Sequence, residues 1–86
     1  MKSFRLKILY CKPCSFENQA KRLAADLQSQ FNGNIESLEI EPTNKIGGFE
    51  IFLNDELIFS KLDKGNLPQP GDIEQIIMKK IVSTNG

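Results

Sequence analysis

Apolar and charged residues alternate along the start of the chain. Arg5 and Lys7 are charged, and the positions on either side of them are apolar. A period of two is typical of a β-strand that buries one face. The apolar positions are Phe4, Leu6, Ile8 and Tyr10. The pattern therefore predicts a first strand that ends at Tyr10.

The period changes after Ser15. Apolar residues then recur at the spacing of one stripe on an α-helix, with charged and amide residues between them. The stripe consists of Phe16, Ala20, Leu23, Ala24, Leu27 and Phe31. Asn32-Gly33-Asn34 follows, and glycine is favoured where a helix ends in a left-handed conformation. The spacing predicts a helix of about four turns that stops before Gly33.

Three more strands and a second long helix are predicted downstream. Residues 35–40 indicate a second strand closed by Pro42, and a short helix-to-strand turn implies a parallel crossover from the first strand. Residues 49–53 and 56–60 are β-favouring runs separated by Asn54-Asp55, which predicts a hairpin. Residues 61–71 are expected to form a loop, and the isoleucines that follow Asp72 indicate a final helix. The predicted order is β-α-β-β-β-α, without repeats or linkers.

The two cysteines, Cys11 and Cys14, occur where the first strand is expected to give way to the first helix. Residues three apart at a helix start are close neighbours, with about 5–6 Å between Cβ atoms. A disulfide needs Cα atoms within about 4.4–6.8 Å, so a small shift would open or close it. A helix N-terminus also favours the thiolate over the thiol. We expect a reversible redox dithiol with Cys11 and Cys14 as its catalytic residues.

Pro13 fits this interpretation because proline is favoured at the first position of a helix, where its missing N–H is not needed. Lys12 could add positive charge beside the thiols, although a lysine in a turn is commonly just solvated. Tyr10 is expected to complete the buried face of the strand, with contact to substrate as an alternative. We include Tyr10, Lys12 and Pro13 among the candidate substrate-facing residues.

Composition excludes several other functions. Eleven basic residues balance eleven acidic residues, so phosphate-neutralising binding of nucleic acid is not expected. The chain has no histidine, which excludes Cys–His catalysis, and two cysteines cannot complete a structural zinc site. We therefore expect no metal and no bound cofactor. The first residues contain no apolar run of the length that a signal peptide or membrane span needs. A cytoplasmic protein without membrane contact is expected, and in that reducing compartment structural disulfides are rare and a Cys-x-x-Cys pair is more often catalytic or metal-binding.

The chain resembles the selenoprotein W group, which is the Rdx family of thioredoxin-like proteins. Four segments carry the resemblance: Tyr10-Cys11-Lys12-Pro13-Cys14, Gly48-Phe49-Glu50-Ile51, Leu57-Ile58-Phe59-Ser60-Lys61 and Gly65-Asn66-Leu67-Pro68. The similarity extends over residues 4–81. It implies one thioredoxin-like α/β (α+β) domain over residues 1–86, a two-layer sandwich whose four-stranded mixed sheet carries two helices. Residues 83–86 are expected to form a frayed tail.

The resemblance also implies a small cytosolic thiol–disulfide oxidoreductase with a glutathione-linked or antioxidant role. Glutathione or protein thiols and disulfides would be its partners. Selenium-containing members carry selenocysteine at the position of Cys14, which favours Cys14 as the attacking group. Helix geometry and the thioredoxin analogy favour Cys11 instead, as the more exposed sulfur, and we lean slightly to Cys11. Thioredoxins place a cis-proline where this chain has Ile46-Gly47-Gly48, so Ile46 and Gly47 are the corresponding substrate-facing candidates.

Two other functions stay open. The first is an interaction module whose dithiol state regulates binding of a protein partner. The second is a Cu(I) carrier, because thiolates suit Cu(I) and copper-trafficking domains also place Cys-x-x-Cys at a first helix. Those domains end in a strand, whereas residues 73–81 of this chain predict a helix.

Overall fold

The computed structural model describes residues 3–84. Its elements are, in chain order, β1 Phe4–Cys11, α1 Glu17–Gln30, β2 Ile35–Thr43, β3 Phe49–Leu53, β4 Glu56–Ser60, α2 Lys61–Lys64 and α3 Asp72–Thr84. The strands form one sheet in the order β2-β1-β3-β4. β1 pairs in parallel with β2 and antiparallel with β3, and β3 and β4 form an antiparallel hairpin. The predicted class is confirmed: a two-layer α/β sandwich with a four-stranded mixed sheet.

The core lies between one face of the sheet and the helices. The alternation in β1 sends every second side chain into it, and Ile8 at the middle of the strand is fully buried. β3 adds Ile51 to the same layer, while α1 contributes Leu27 and α3 contributes Ile77. The opposite face of β1, with Arg5, is more open to solvent. The main core therefore lies on one side of the sheet, and burial on the other side is greatest near Cys11 and Glu50.

The hairpin has the bounds expected from the sequence. Asn54 and Asp55 both adopt positive φ, at 51° and 71°, as the two-residue type I′ turn requires. The Asn54 side chain also accepts a hydrogen bond from the backbone N–H of Arg5 over 2.9 Å. The turn is therefore joined to the neighbouring strand as well as to its own hairpin.

Three boundaries differ from the predictions. β2 continues through Pro42 to Thr43, because a strand at the edge of a sheet tolerates a residue without an N–H. The expected loop over residues 61–71 begins with the four-residue helix α2, which ends at Gly65 in a left-handed conformation with φ 90°. α3 continues to Thr84, so the first two residues of the expected tail are helical. Asn85 and Gly86 lie outside the described residues.

Candidate active site: the Cys11–Cys14 dithiol

Cys11 is the last residue of β1 and is held by the sheet. Its backbone N–H donates to the carbonyl of Gly48 over 2.8 Å, and its register partner on β2 is Thr43. The residue is fully buried. Its disulfide partner is Cys14, and their Cα atoms are 5.3 Å apart. The predicted dithiol is therefore present, with one sulfur anchored in the core strand.

Cys14 lies in a turn and not on a helix. The backbone N–H of Ser15 donates to the carbonyl of Lys12 over 3.1 Å, which closes a four-residue turn with Pro13 at its second position. Ser15 then adopts φ 64°, a left-handed conformation that cannot continue into an α-helix. α1 consequently begins only at Glu17. The expectation that Cys11 and Cys14 sit on the first turn of α1 is wrong, and Pro13 shapes a β-turn in place of a helix start.

A second turn supplies the hydrogen bond to Cys14. The N–H of Gly48 donates to the carbonyl of Lys45 over 3.0 Å, and Gly47 between them has φ 77°, the arrangement of a type II turn. This turn directs the N–H of Gly47 at Cys14 Sγ, 3.2 Å away. Gly48 must also be small, because a Cβ there would lie 3.0 Å from the carbonyl oxygen of Lys45. The positive φ of Gly47 and the close approach at Gly48 thus explain why both positions are glycine.

The two sulfurs differ in access. Cys11 is fully buried, whereas Cys14 is only half-buried. The expectation that Cys11 is the more exposed cysteine is wrong, because the last ladder position of β1 carries it under the following turn. A hydrogen bond to a thiolate stabilises the charged form, and the Gly47 N–H is positioned to donate one to Cys14 after reduction. Cys14 is therefore both the more accessible cysteine and the one whose sulfur accepts a backbone hydrogen bond.

The other candidate residues divide into two groups. Lys12 and Pro13 are exposed on the turn that carries Cys14, and Ile46 is 70% exposed on the turn that carries Gly47. Tyr10 is only 6% exposed and belongs to the core cluster, on the opposite face of β1 from Cys11. Tyr10 completes the buried face of the strand, as expected, and its burial leaves it without the exposure that the alternative, contact with substrate, requires.

Sequence reasoning missed an ion pair beside the site, in which the carboxylate is buried and the lysine is half exposed. The side chain of Glu50 is 9% exposed, and its carboxylate accepts a hydrogen bond from Lys45 Nζ at 2.9 Å. Glu50 follows Phe49 on β3, one residue beyond the partner of Tyr10, so it lies on the same sheet face as Cys11. The signal in the sequence was a single charge inside the apolar run 49–53. The pair joins the Lys45–Gly48 turn to the sheet.

Aromatic contacts support the site from the side of α1. Phe16, the residue before the helix, meets Phe49 edge-on with ring centroids 6.2 Å apart. Lys61 Nζ lies 5.7 Å from the centroid of the Phe16 ring. These contacts hold the end of the Cys14 turn against β3 and α2.

Within residues 3–84, no group of three or more Cys, Asp or Glu side chains is arranged to hold a metal ion. Nor does that part of the chain contain a helix with the length and apolar character needed to span a bilayer.

Two solved structures have the same fold as this chain. The structure of a selenoprotein W-related protein from Vibrio cholerae superposes with a TM-score of 0.87 at 26% identity, covering 93% of this chain and 99% of that one. A protein from Bordetella parapertussis has the same fold, with a TM-score of 0.85 at 23% identity over 91% of this chain and 98% of that one.

Curated relatives are similar over most of this chain. Migration and invasion enhancer 1 from Bos taurus is 37% identical over 78 residues, which is 87% of this chain and 63% of that protein. The Mus musculus protein of the same name is 38% identical over 73 residues, which is 81% and 58% of the two chains. The chain thus spans about three fifths of the length of these relatives. The family model described as the Rdx family matches residues 5–79, and it includes both cysteines. This chain belongs to the Rdx family.

Proposed function

We propose that the protein is a thiol–disulfide oxidoreductase in which Cys14 attacks and Cys11 resolves. Membership of the Rdx family and a Cys11–Cys14 pair at disulfide distance support a thiol redox role. The observation that carries the assignment of the two sulfurs is their asymmetry. Cys14 is reachable and receives the Gly47 N–H, whereas Cys11 is buried in the β1 ladder.

The exchange has two steps in the reducing direction. The Cys14 thiolate attacks one sulfur of a substrate disulfide, forms a mixed disulfide and releases the first substrate thiolate, which takes up a proton. Cys11 then loses its proton and attacks Cys14 Sγ, which forms the Cys11–Cys14 disulfide and releases the second substrate thiolate. Because the two cysteines are already held together, the second step needs no diffusional encounter.

Glutathione is the electron donor that we propose for the return to the dithiol. A first glutathione thiolate attacks the accessible Cys14 sulfur of the Cys11–Cys14 disulfide and releases the Cys11 thiolate. A second glutathione attacks the glutathione sulfur of the mixed disulfide, which releases Cys14 and yields glutathione disulfide. The cytoplasm, where glutathione is abundant and reduced, is the compartment that suits this chemistry.

Single-cysteine variants test the assignment. Cys11→Ser and Cys14→Ser are reduced, mixed with glutathione disulfide at neutral pH, and followed by intact-protein mass spectrometry. Cys11→Ser is expected to accumulate a glutathione adduct rapidly, because the attacking thiol is present and the resolving thiol is missing. Cys14→Ser is expected to react at least tenfold more slowly, because its remaining thiol is buried. The reverse ranking would make Cys11 the attacking residue, and the absence of an adduct on both would contradict the oxidoreductase.

A redox-regulated interaction module is the second candidate. Its support is the exposed apolar surface beside Cys14, formed by Ile46 and Leu62. Turnover separates the two functions: a module would capture a partner in one dithiol state and show no catalytic reduction of disulfides by glutathione. Tight Cu(I) binding by a dithiol that resists oxidation by glutathione disulfide would favour a Cu(I) carrier over both functions.

A further inference from the structure

Two exposed apolar side chains adjoin Gly47, the residue whose backbone N–H contacts the accessible sulfur. Within residues 3–81, four large apolar side chains are markedly exposed: Ile46, Leu57, Leu62 and Met78. Ile46 is 70% exposed and precedes the glycine that donates to Cys14 Sγ. Leu62 is 53% exposed, and its Cδ2 would be 3.6 Å from a Cβ placed on Gly47. Both side chains therefore border the one residue that touches the sulfur through its backbone.

Packing of the core does not require the side chains of Ile46 and Leu62 to be apolar. Neither Ile46 nor Leu62 belongs to the buried core or to the partly buried side chains packed against it. Ile46 occupies the second position of a turn, where polar residues serve equally well. Leu62 lies on α2, a four-residue helix without a buried residue. An apolar patch that the core does not use is typical of a surface for binding another molecule.

The position of the patch determines what it meets. A substrate sulfur must come within about 2 Å of Cys14 Sγ to form the mixed disulfide. Gly47, whose N–H lies 3.2 Å from Cys14 Sγ, is next to Ile46 in sequence and next to Leu62 in space, so we expect the atoms attached to that sulfur to come close to both side chains. The patch is thus continuous with the surface that any substrate of Cys14 contacts.

Lys12 is exposed on the turn that carries Cys14, so the apolar side chains and not the charges favour an apolar substrate over a small anionic one. Lys45 is occupied by its ion pair with Glu50, and Lys61 lies over the ring of Phe16. Both lysines therefore have partners within the chain. Glutathione, with two carboxylates and little apolar surface, would leave Ile46 and Leu62 uncovered. An extended polypeptide with an apolar residue on each side of its cysteine can cover both.

We propose that Ile46 and Leu62 form a docking surface for polypeptide substrates whose disulfide-bonded cysteine is flanked by apolar residues. This proposal rests on the proposed function, since it assigns the substrate class of the same dithiol. Gly47 lies at the centre of the surface and Cys14 at its edge. Glutathione reacts at the same sulfur without using the apolar contacts.

The test compares two peptide disulfides on the same enzyme. One probe is a dimer of an octapeptide with leucine on both sides of its cysteine, and the other has serine at those two positions. The reduced protein is mixed with each, and the ratio of the two second-order rate constants is measured by stopped flow. Because both rates use the same dithiol, the ratio cancels any change in the reactivity of Cys14. Wild type is expected to prefer the leucine probe by roughly tenfold or more, the discrimination that apolar contacts typically provide.

The variant Ile46→Ser/Leu62→Ser is expected to lower this ratio to within about twofold of unity. The matched control is Leu57→Ser/Met78→Ser, which removes side chains that are 47% and 44% exposed but do not lie beside Gly47. The control should keep the wild-type ratio. A wild-type ratio near unity, or a preference retained by Ile46→Ser/Leu62→Ser, would overturn the docking surface.

Failure of the docking surface and failure of the oxidoreductase give different results. A wild type that reacts with glutathione disulfide and with both peptides at similar rates overturns only the docking surface. A wild type that reacts with none of the three overturns the proposed function and the docking surface with it.

Discussion

The backbone N–H of Gly47 donates to Cys14 Sγ over 3.2 Å, although 33 residues separate the two along the chain. The bond connects the turn after β1 with the turn before β3. It exists because β1 and β3 are neighbours in the sheet, which brings the end of one strand beside the start of the other. Among the substitutions of Gly47, only proline would remove this backbone donor outright, but others can displace it by changing the turn.

Gly47→Ala is expected to displace this donor. A residue with a Cβ at φ 77° is strained by about 1–2 kcal/mol, so the turn should relax and lengthen the contact to Cys14. Alkylation of Cys14 by iodoacetamide at neutral pH, measured in the reduced Cys11→Ser background, should slow by about twofold or more because less thiolate is stabilised. Gly33→Ala is the control, since Gly33 has φ 89° and no atoms near its added Cβ. It should cost similar stability without changing the alkylation rate, and equal slowing by both variants would contradict the prediction.

Lys45→Met is expected to leave Glu50 without its partner. A carboxylate that is 9% exposed then loses a charged hydrogen bond, which should lower the free energy of unfolding by about 1–3 kcal/mol. Urea denaturation measures this change, and the double variant Lys45→Met/Glu50→Gln should recover part of it because the buried charge is gone. Lys21→Met serves for comparison, because Lys21 pairs with Glu17 on the exposed face of α1 and should change stability by less than about 0.5 kcal/mol. Equal effects of the two lysine variants would show that the Lys45–Glu50 pair contributes no more to the free energy of unfolding than the exposed Lys21–Glu17 pair.

Asp55→Gly is expected to stabilise the hairpin. Asp55 holds φ 71° at the third position of a type I′ turn, the position that glycine takes in the preferred Asn-Gly sequence. Relief of that strain should raise the free energy of unfolding by roughly 0.5–1 kcal/mol. The lost ion pair to Arg5 should matter little, because both side chains are at least half exposed. A drop in thermal midpoint for Asp55→Gly would mean that the Arg5 contact outweighs the backbone strain.

Reduction of the Cys11–Cys14 disulfide is expected to have a modest effect on folding. The bridge closes a loop of only four residues, for which chain entropy gives about 2 kcal/mol of stabilisation. Chemical denaturation with and without a phosphine reductant measures the difference. A loss well above this value would indicate a structural role for the bridge, in place of a reversible redox pair.

The strands and the long helices could be predicted from local patterns, since each pattern lies within one run of consecutive residues. The alternation up to Tyr10, the stripe from Phe16 to Phe31 and the Asn54-Asp55 turn each required no distant information. The start of α1 could not be predicted in this way. Serine has no preference for a left-handed conformation. The turn that brings Cys14 to Cys11 imposes this conformation on Ser15.

The ranking of the two sulfurs also depended on tertiary structure. The burial of Cys11 follows from its place at the end of a central strand, and the hydrogen bond on Cys14 comes from a glycine in another turn. The motif predicted which two residues would meet. It did not carry the information on which of them would face the solvent.

The anchoring of Cys11 in β1 lowers the entropic cost of the resolving step in the proposed exchange. One cysteine is held by its pairing with β2 and by its hydrogen bond to Gly48, while the other belongs to a four-residue turn. The entropy of confining the second reactant is therefore lost once, when the chain folds, and not again in each cycle of the proposed exchange. Only the small segment around Cys14 has to adjust when the bond opens, and the rest of the domain can remain as it is.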